Sequence, residues 1–146
     1  MTTLHESLVA VAREHAAAEG RGDLETVLRT LEDDPVYELQ PVGLEFRGMD
    51  AVRAYYDYFF STFSTFVAGA TLRGESVAAD GVVEEYTIWT KTGPGNALER
   101  HEVVGILTFG DDRLSGERVY GSERLLRLMF GPVYDISTPI DVGEPT

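Results

Sequence analysis

The residues most able to do chemistry stand together, as Arg100-His101-Glu102. They lie in a run rich in β-branched and apolar types, where alternate side chains of a strand point the same way. Arg100 and Glu102 therefore share a face. A guanidinium next to a carboxylate fixes its orientation, and a carboxylate so held can act on water or on a substrate proton. This pair is the candidate catalytic set, with Glu102 as the acid/base and Arg100 orienting it. His101 has the opposite parity and reads as a satisfied core or interfacial histidine. His5 and His15, ten residues apart, form no local ligand pair and read as structural. The chain has no cysteine, which removes disulfides, thiolate metal sites and cysteine nucleophiles. Neither a metal nor a cofactor is expected.

The strand carrying this pair is followed by Gly110-Asp111-Asp112-Arg113, a tight hairpin signal. With Asp111 and Asp112 as the turn, Gly110 pairs with Arg113, and that register carries back along the ladder. Glu102 then faces Gly121, Val104 faces Val119, and Ile106 faces Glu117. On this reading Arg100, Glu102 and Glu117 share one face with Val104 and Val119, while His101, Val103, Gly105 and Leu107 occupy the other. A slip of one residue exchanges the faces. One face must cover a helix, and the other is free to line a pocket or an interface.

The elements that position this strand follow from periodicity. Residues 3–19 carry Leu4, Leu8, Val11, Ala12 and His15 at helical spacing, opened by the capping-box pair Thr3 and Glu6. Asp23 caps a second short helix that stops before Asp33-Asp34-Pro35. Residues 36–40 form a short strand. A third helix spans about 50–65, with Val52, Tyr55, Tyr56, Phe59, Phe60 and Phe63 on one face. Four strand patterns follow, at 67–76, 82–91, 98–110 and 113–121, and then a short helix capped by Ser122. Strands in sequence without crossover helices predict an antiparallel meander. The expected fold class is α+β: three N-terminal helices packed on a curved antiparallel sheet, in one domain over residues 1–131, with 132–146 an extended tail.

Composition narrows the partners. The chain has 146 residues, 43% of them apolar, enough for a sizeable core. The formal charge of −13 repels phosphate backbones and anionic lipid surfaces, so neither nucleic acid nor membrane is an expected partner. The opening MTTLHESLVA lacks a basic region followed by an apolar run. The expected location is cytoplasmic.

Several segments carry a family resemblance: Gly48-Met49-Asp50-Ala51-Val52-Arg53-Ala54-Tyr55-Tyr56, Val82-Val83-Glu84-Glu85-Tyr86-Thr87, Lys91-Thr92-Gly93-Pro94, the run from His101 to Phe109, and Gly116-Glu117-Arg118-Val119-Tyr120-Gly121. Over roughly residues 4–130 the chain resembles the nuclear-transport-factor-2-like superfamily, in its polyketide-cyclase-like (SnoaL-like) branch. Ketosteroid isomerases and limonene-epoxide hydrolases are relatives. The resemblance implies a cone-shaped roll around a deep pocket, usually in a homodimer, and a small apolar ligand or substrate. It places Tyr37 and Glu38 near the pocket mouth. Gln40, Tyr56, Trp89, Val104, Val119 and Gly121 complete the implied lining.

Two positions depart from the family pattern. Isomerases carry an Asp-Pro-Val-Gly run whose aspartate is the base, and the run here is Gln40-Pro41-Val42-Gly43; an amide cannot take up that proton. Cyclases and hydrolases place an aspartate where this chain has Gly121. Arg100 and Glu102 resemble a longer-armed form of the hydrolases' Arg-x-Asp arrangement. An enzyme of cyclase, hydrolase or dehydratase type, a non-catalytic binding domain, and a partner-binding module all remain open.

Overall fold

A computed structural model describes residues Met1–Thr146. Helix α1 (Leu4–Gly20) opens on the Thr3/Glu6 capping box and buries Leu8, Val9, Ala12, His15 and Ala18. Helix α2 (Leu24–Arg29) is capped by the Asp23 side chain. Helix α3 (Met49–Tyr58) runs on into a π-helical turn, Phe59–Phe63, and a last turn α4 (Ser64–Phe66). The expected third helix is thus continuous in direction but widened at Phe59–Phe63, a distortion often found beside binding sites.

Seven strands form one sheet. They are β1 (Leu31–Gln40), β2 (Leu44–Arg47), β3 (Val67–Val77), β4 (Gly81–Thr90), β5 (Glu99–Phe109), β6 (Leu114–Tyr120) and β7 (Thr138–Pro139). Their spatial order is β3-β4-β5-β6-β1-β2-β7. The meander from β3 to β6 is antiparallel as expected, but β1 joins β6 in parallel. This pairing also lengthens β1 beyond residues 36–40. The ladder shifts register between Leu31 and Val36, and the irregularity accommodates Pro35, which has no N–H to give. The helices pack on one face of this curved, open sheet, giving the α+β architecture expected. No helix is long and apolar enough to cross a membrane.

Residues after Gly131 depart from the extended-tail reading. Helix α5 (Glu123–Phe130) is followed by a helical turn α6 (Pro132–Ile136), and β7 pairs with β2. Val133 and Tyr134 are buried in the core. The domain therefore runs past residue 131, because these two apolar side chains complete its packing. Ending the chain at Gly131 is expected to cost about 3 kcal/mol, from two buried apolar side chains, read as a lower Tm by circular dichroism.

The β5–β6 hairpin decides which side chains enter the interior. Its turn is as expected: Gly110 N–H donates to Arg113 O at 2.8 Å, and Phe109 pairs with Leu114. The next pair is Thr108 with Gly116, which leaves Ser115 as an extra residue, a β-bulge. Beyond it, Leu107 pairs with Glu117, Ile106 with Arg118, Gly105 with Val119, and Val104 with Tyr120. The register read from the sequence is displaced by one residue, and the faces of β6 exchange. Glu117 moves to the face that packs on the helices.

Candidate functional site

A cavity of about 530 Å³ opens between the end of α1, the π-helical turn and the inner face of the sheet. Phe59, Phe60 and Phe63 project into it from the widened turn, opposite Tyr86, Ile88, Val103, Leu107 and Val119. The same sheet face that covers the phenylalanine-rich helix also lines the cavity. Three carboxyl groups reach the lining: Glu19 from α1, Glu84 from β4 and Glu117 from β6.

Glu117 is the most perturbed of these. It is part-buried on the cavity wall, and it is held well above the ordinary carboxylate range. Burial is the main cause, with the charges of Glu19 and Glu84 adding to it. No protein donor offsets this by hydrogen-bonding the carboxylate. Gly105 makes room for it: a Cβ there would lie 2.7 Å from Glu117 Oε1. Glu84 is also raised by burial, partly opposed by the hydrogen bond it accepts from Tyr86 Oη at 3.1 Å.

His15 anchors the polar end. It is 1% exposed, with Nδ1 at 2.7 Å from Thr30 Oγ1. The Thr30 hydroxyl donates its one proton to Val27 O at 2.6 Å, so His15 Nδ1 must carry the proton in that contact. In the neutral imidazole the lone pair is then on Nε2, which faces Tyr56 Oη at 3.0 Å and Glu19 Oε2 at 3.6 Å. Tyr56 Oη also lies 3.3 Å from Glu19 Oε2 and 2.6 Å from Tyr37 Oη. Burial keeps both phenols well above their usual range, so they stay protonated. The ligand atoms of His15, Glu19 and Glu117 lie within 4.8 Å of one another. One imidazole nitrogen and two carboxylates at that spacing can hold a proton or a small cation between them.

The residues singled out from the sequence are dispersed. Arg100 and Glu102 do pair, Nε to Oε1 at 2.6 Å, but their side chains are 54% and 55% exposed and lie on the outer face of the sheet. Hydrogen bonds from Arg100 and Thr87 pull the Glu102 carboxyl below its ordinary value, opposite to a buried acid. Val104 borders the same shallow outer groove, and Trp89 lies beneath Arg100 Cζ at 5.9 Å. Glu38 pairs across the ladder with Glu45 and Arg118, and Gln40 with Tyr120, which is exposed. Gly121 is a packing position: its N–H donates to Gln40 O at 3.0 Å, and a Cβ would meet Leu125 Cδ2 at 3.3 Å. Only Val119 of the expected lining touches the cavity itself. Tyr37 and Tyr56 sit fully buried behind its wall and reach it through His15 and Glu19. The one-residue bulge sends Glu117 inward, whereas Glu102, on β5, stays on the outer face opposite Thr87.

A family model described as a SnoaL-like domain matches residues 12–116. The chain belongs to the SnoaL-like family. Solved structures agree on the fold. A steroid delta-isomerase from Pseudomonas aeruginosa is 16% identical, with 89% of this chain and 90% of that one covered and a TM-score of 0.66. A putative isomerase from Bacillus subtilis is 18% identical, covering 89% and 96%, with a TM-score of 0.61. An NTF2-like protein of unknown function from Burkholderia pseudomallei is 20% identical, covering 84% and 97%, with a TM-score of 0.63. No curated protein matches the chain. This SnoaL-like domain keeps the family's architecture while carrying its interior carboxyls on α1, β4 and β6.

Sequence reasoning treats His15 as structural and passes over Glu19. His15 and Glu19 stand four apart on the apolar side of α1, a spacing that aligns them on one helical face. That spacing is visible in the sequence, whereas their partner Glu117 is about a hundred positions away and was placed on the wrong face.

Proposed function

We propose that this SnoaL-like domain is a small-molecule enzyme of cyclase, hydrolase or dehydratase type, and that Glu117 is its proton donor and acceptor. The observation that carries this is a carboxyl group, its proton affinity raised by burial and its oxygens free of protein donors, on the wall of an apolar cavity. Such a group can donate a proton to a substrate oxygen at neutral pH and take one back as its conjugate base. Glu19, whose side chain is 29% exposed, connects it with solvent, and Tyr56 with His15 holds Glu19 in place. Arg100 and Glu102 act in this reading as an ion pair of the outer surface.

The test is turnover of apolar epoxides, hydroxyketones and unsaturated ketones. Turnover that disappears in Glu117→Gln while the substrate still binds supports the reading. Binding by the unaltered protein with no turnover of any of them favours a non-catalytic binding domain, a reading that the amide at Gln40 and the missing side chain at Gly121 also support. Glu102→Gln is the control: ligand affinity and any turnover are expected to stay within about twofold, as for an exposed ion pair.

We also propose that a second copy packs on the outer sheet face, where Trp89 and Tyr120 are exposed. Sedimentation equilibrium is expected to give a homodimer that Trp89→Glu dissociates. A monomer at all concentrations rejects it.

A further inference from the structure

The charges that reach the cavity are almost all of one sign. We propose that the cavity selects positively charged ligands, the simplest being an apolar amine in its ammonium form, with the ammonium seated against Glu117 and Glu19. This rests on the same cavity as the proton-transfer reading and names the class of molecule that fills it. The only guanidinium on the lining, Arg21, is exposed and tied to Asp23 Oδ2 at 3.2 Å. The walls offer the rings of Phe59, Phe60 and Tyr86, and aromatic faces attract cations through their quadrupoles. The Glu117 carboxyl has no protein donor, while an ammonium brings up to three. An anionic ligand meets repulsion from Glu19 and Glu84 at the same place, and the chain's net charge of −13 concentrates cations at the mouth.

A bare metal ion is the competing occupant. Tyr56 Oη already lies 3.0 Å from His15 Nε2, where such an ion would bind. An ion would also leave the apolar volume of about 530 Å³ unfilled. An amine with an aromatic or aliphatic body occupies both parts. Its entry changes one bond. The O–H of Glu117 ionises, the proton leaves to solvent, and the carboxylate pairs with the ammonium.

The experiment is isothermal titration calorimetry at neutral pH with three isosteric probes, 2-naphthylmethylamine, 2-naphthalenemethanol and 2-naphthoate, in buffers of different ionisation enthalpy. The amine is expected to bind at least about tenfold more tightly than the alcohol, the scale of a hydrogen bond to a charged group. It should release a proton on binding, and naphthoate should not bind. Glu117→Gln should bring the amine to the affinity of the alcohol and leave the alcohol unchanged. If that variant fails to fold, Glu19→Gln, at the mouth, should weaken the amine alone. Equal affinity for amine and alcohol overturns the proposal, as does tight zinc binding without amine preference. Amine selectivity without turnover of any substrate removes the catalytic reading and keeps this one. Turnover of neutral substrates without amine selectivity does the reverse.

Discussion

Replacing Glu117 with Gln is expected to lower kcat/KM by about 10²–10⁴, the usual contribution of a positioned acid or base. KM should change little, because the amide keeps the shape and loses only the transferable proton. Stability should move the other way. The folded-state value of Glu117 is raised above its unfolded value of 4.5. Between the two values the native state holds a proton that the unfolded chain has lost, so stability falls as pH rises through that window. Above it, the native protein carries a poorly solvated charge. Glu117→Gln removes that charge, so its Tm should exceed that of the unaltered protein at alkaline pH and converge with it at acid pH. Thermal melts across the pH range read this directly. Glu99 bends the acid end in the opposite sense: bonds from Arg124 and Thr92 hold it down to about 2, so its contribution is fully present above 4.5 and is lost as pH falls from 4.5 through about 2.

Gly116→Ala is expected to be the most damaging single substitution, costing about 3 kcal/mol or more through backbone strain and loss of packing. At φ 150° Gly116 occupies a conformation that side chains rarely adopt, and an added Cβ would run into the backbone carbonyl of Val36. Neither β1 nor β6 can yield, because they pair there in parallel. For a chain of this size the loss should lower Tm by roughly 10 °C. Any protein that still folds must relieve the clash by removing the bulge, which turns Glu117 outward. Measured by circular dichroism and by ligand binding, a variant that keeps both unchanged would show that the bulge does not place Glu117. Gly105→Ala is milder, since the atom it meets is the movable end of a side chain.

The contrast between these two glycines shows what the sequence could and could not carry. Helical spacing from Leu4 to His15, the caps at Thr3, Asp23 and Ser122, and the β-rich runs after Val67 are local, and all appear as read. The turn at Asp111-Asp112 is local too and is correct up to Phe109 and Leu114. The bulge at Ser115 is not, because it arises where β6 must meet β1 as well as β5. That pairing joins residues about eighty positions apart, and no hairpin rule contains it. Parity along each strand was therefore right while the register between strands was one residue off. Because side chains alternate, this one-residue displacement sets Glu117 on the face opposite Glu102, where the hairpin rule puts the two together. The tail differs for a similar reason: Pro132 and Pro139 suggest an open chain, yet Val133 and Tyr134 find a core formed by distant elements.

The central claim is that the cavity makes Glu117 hold its proton well above the ordinary carboxylate range. Carbon-13 NMR titration of the glutamate side-chain carboxyls tests it most directly. The expected result is a Glu117 carboxyl titrating well above 4.5, while Glu102 titrates below that value. A Glu117 carboxyl that titrates at or below 4.5 would contradict the account.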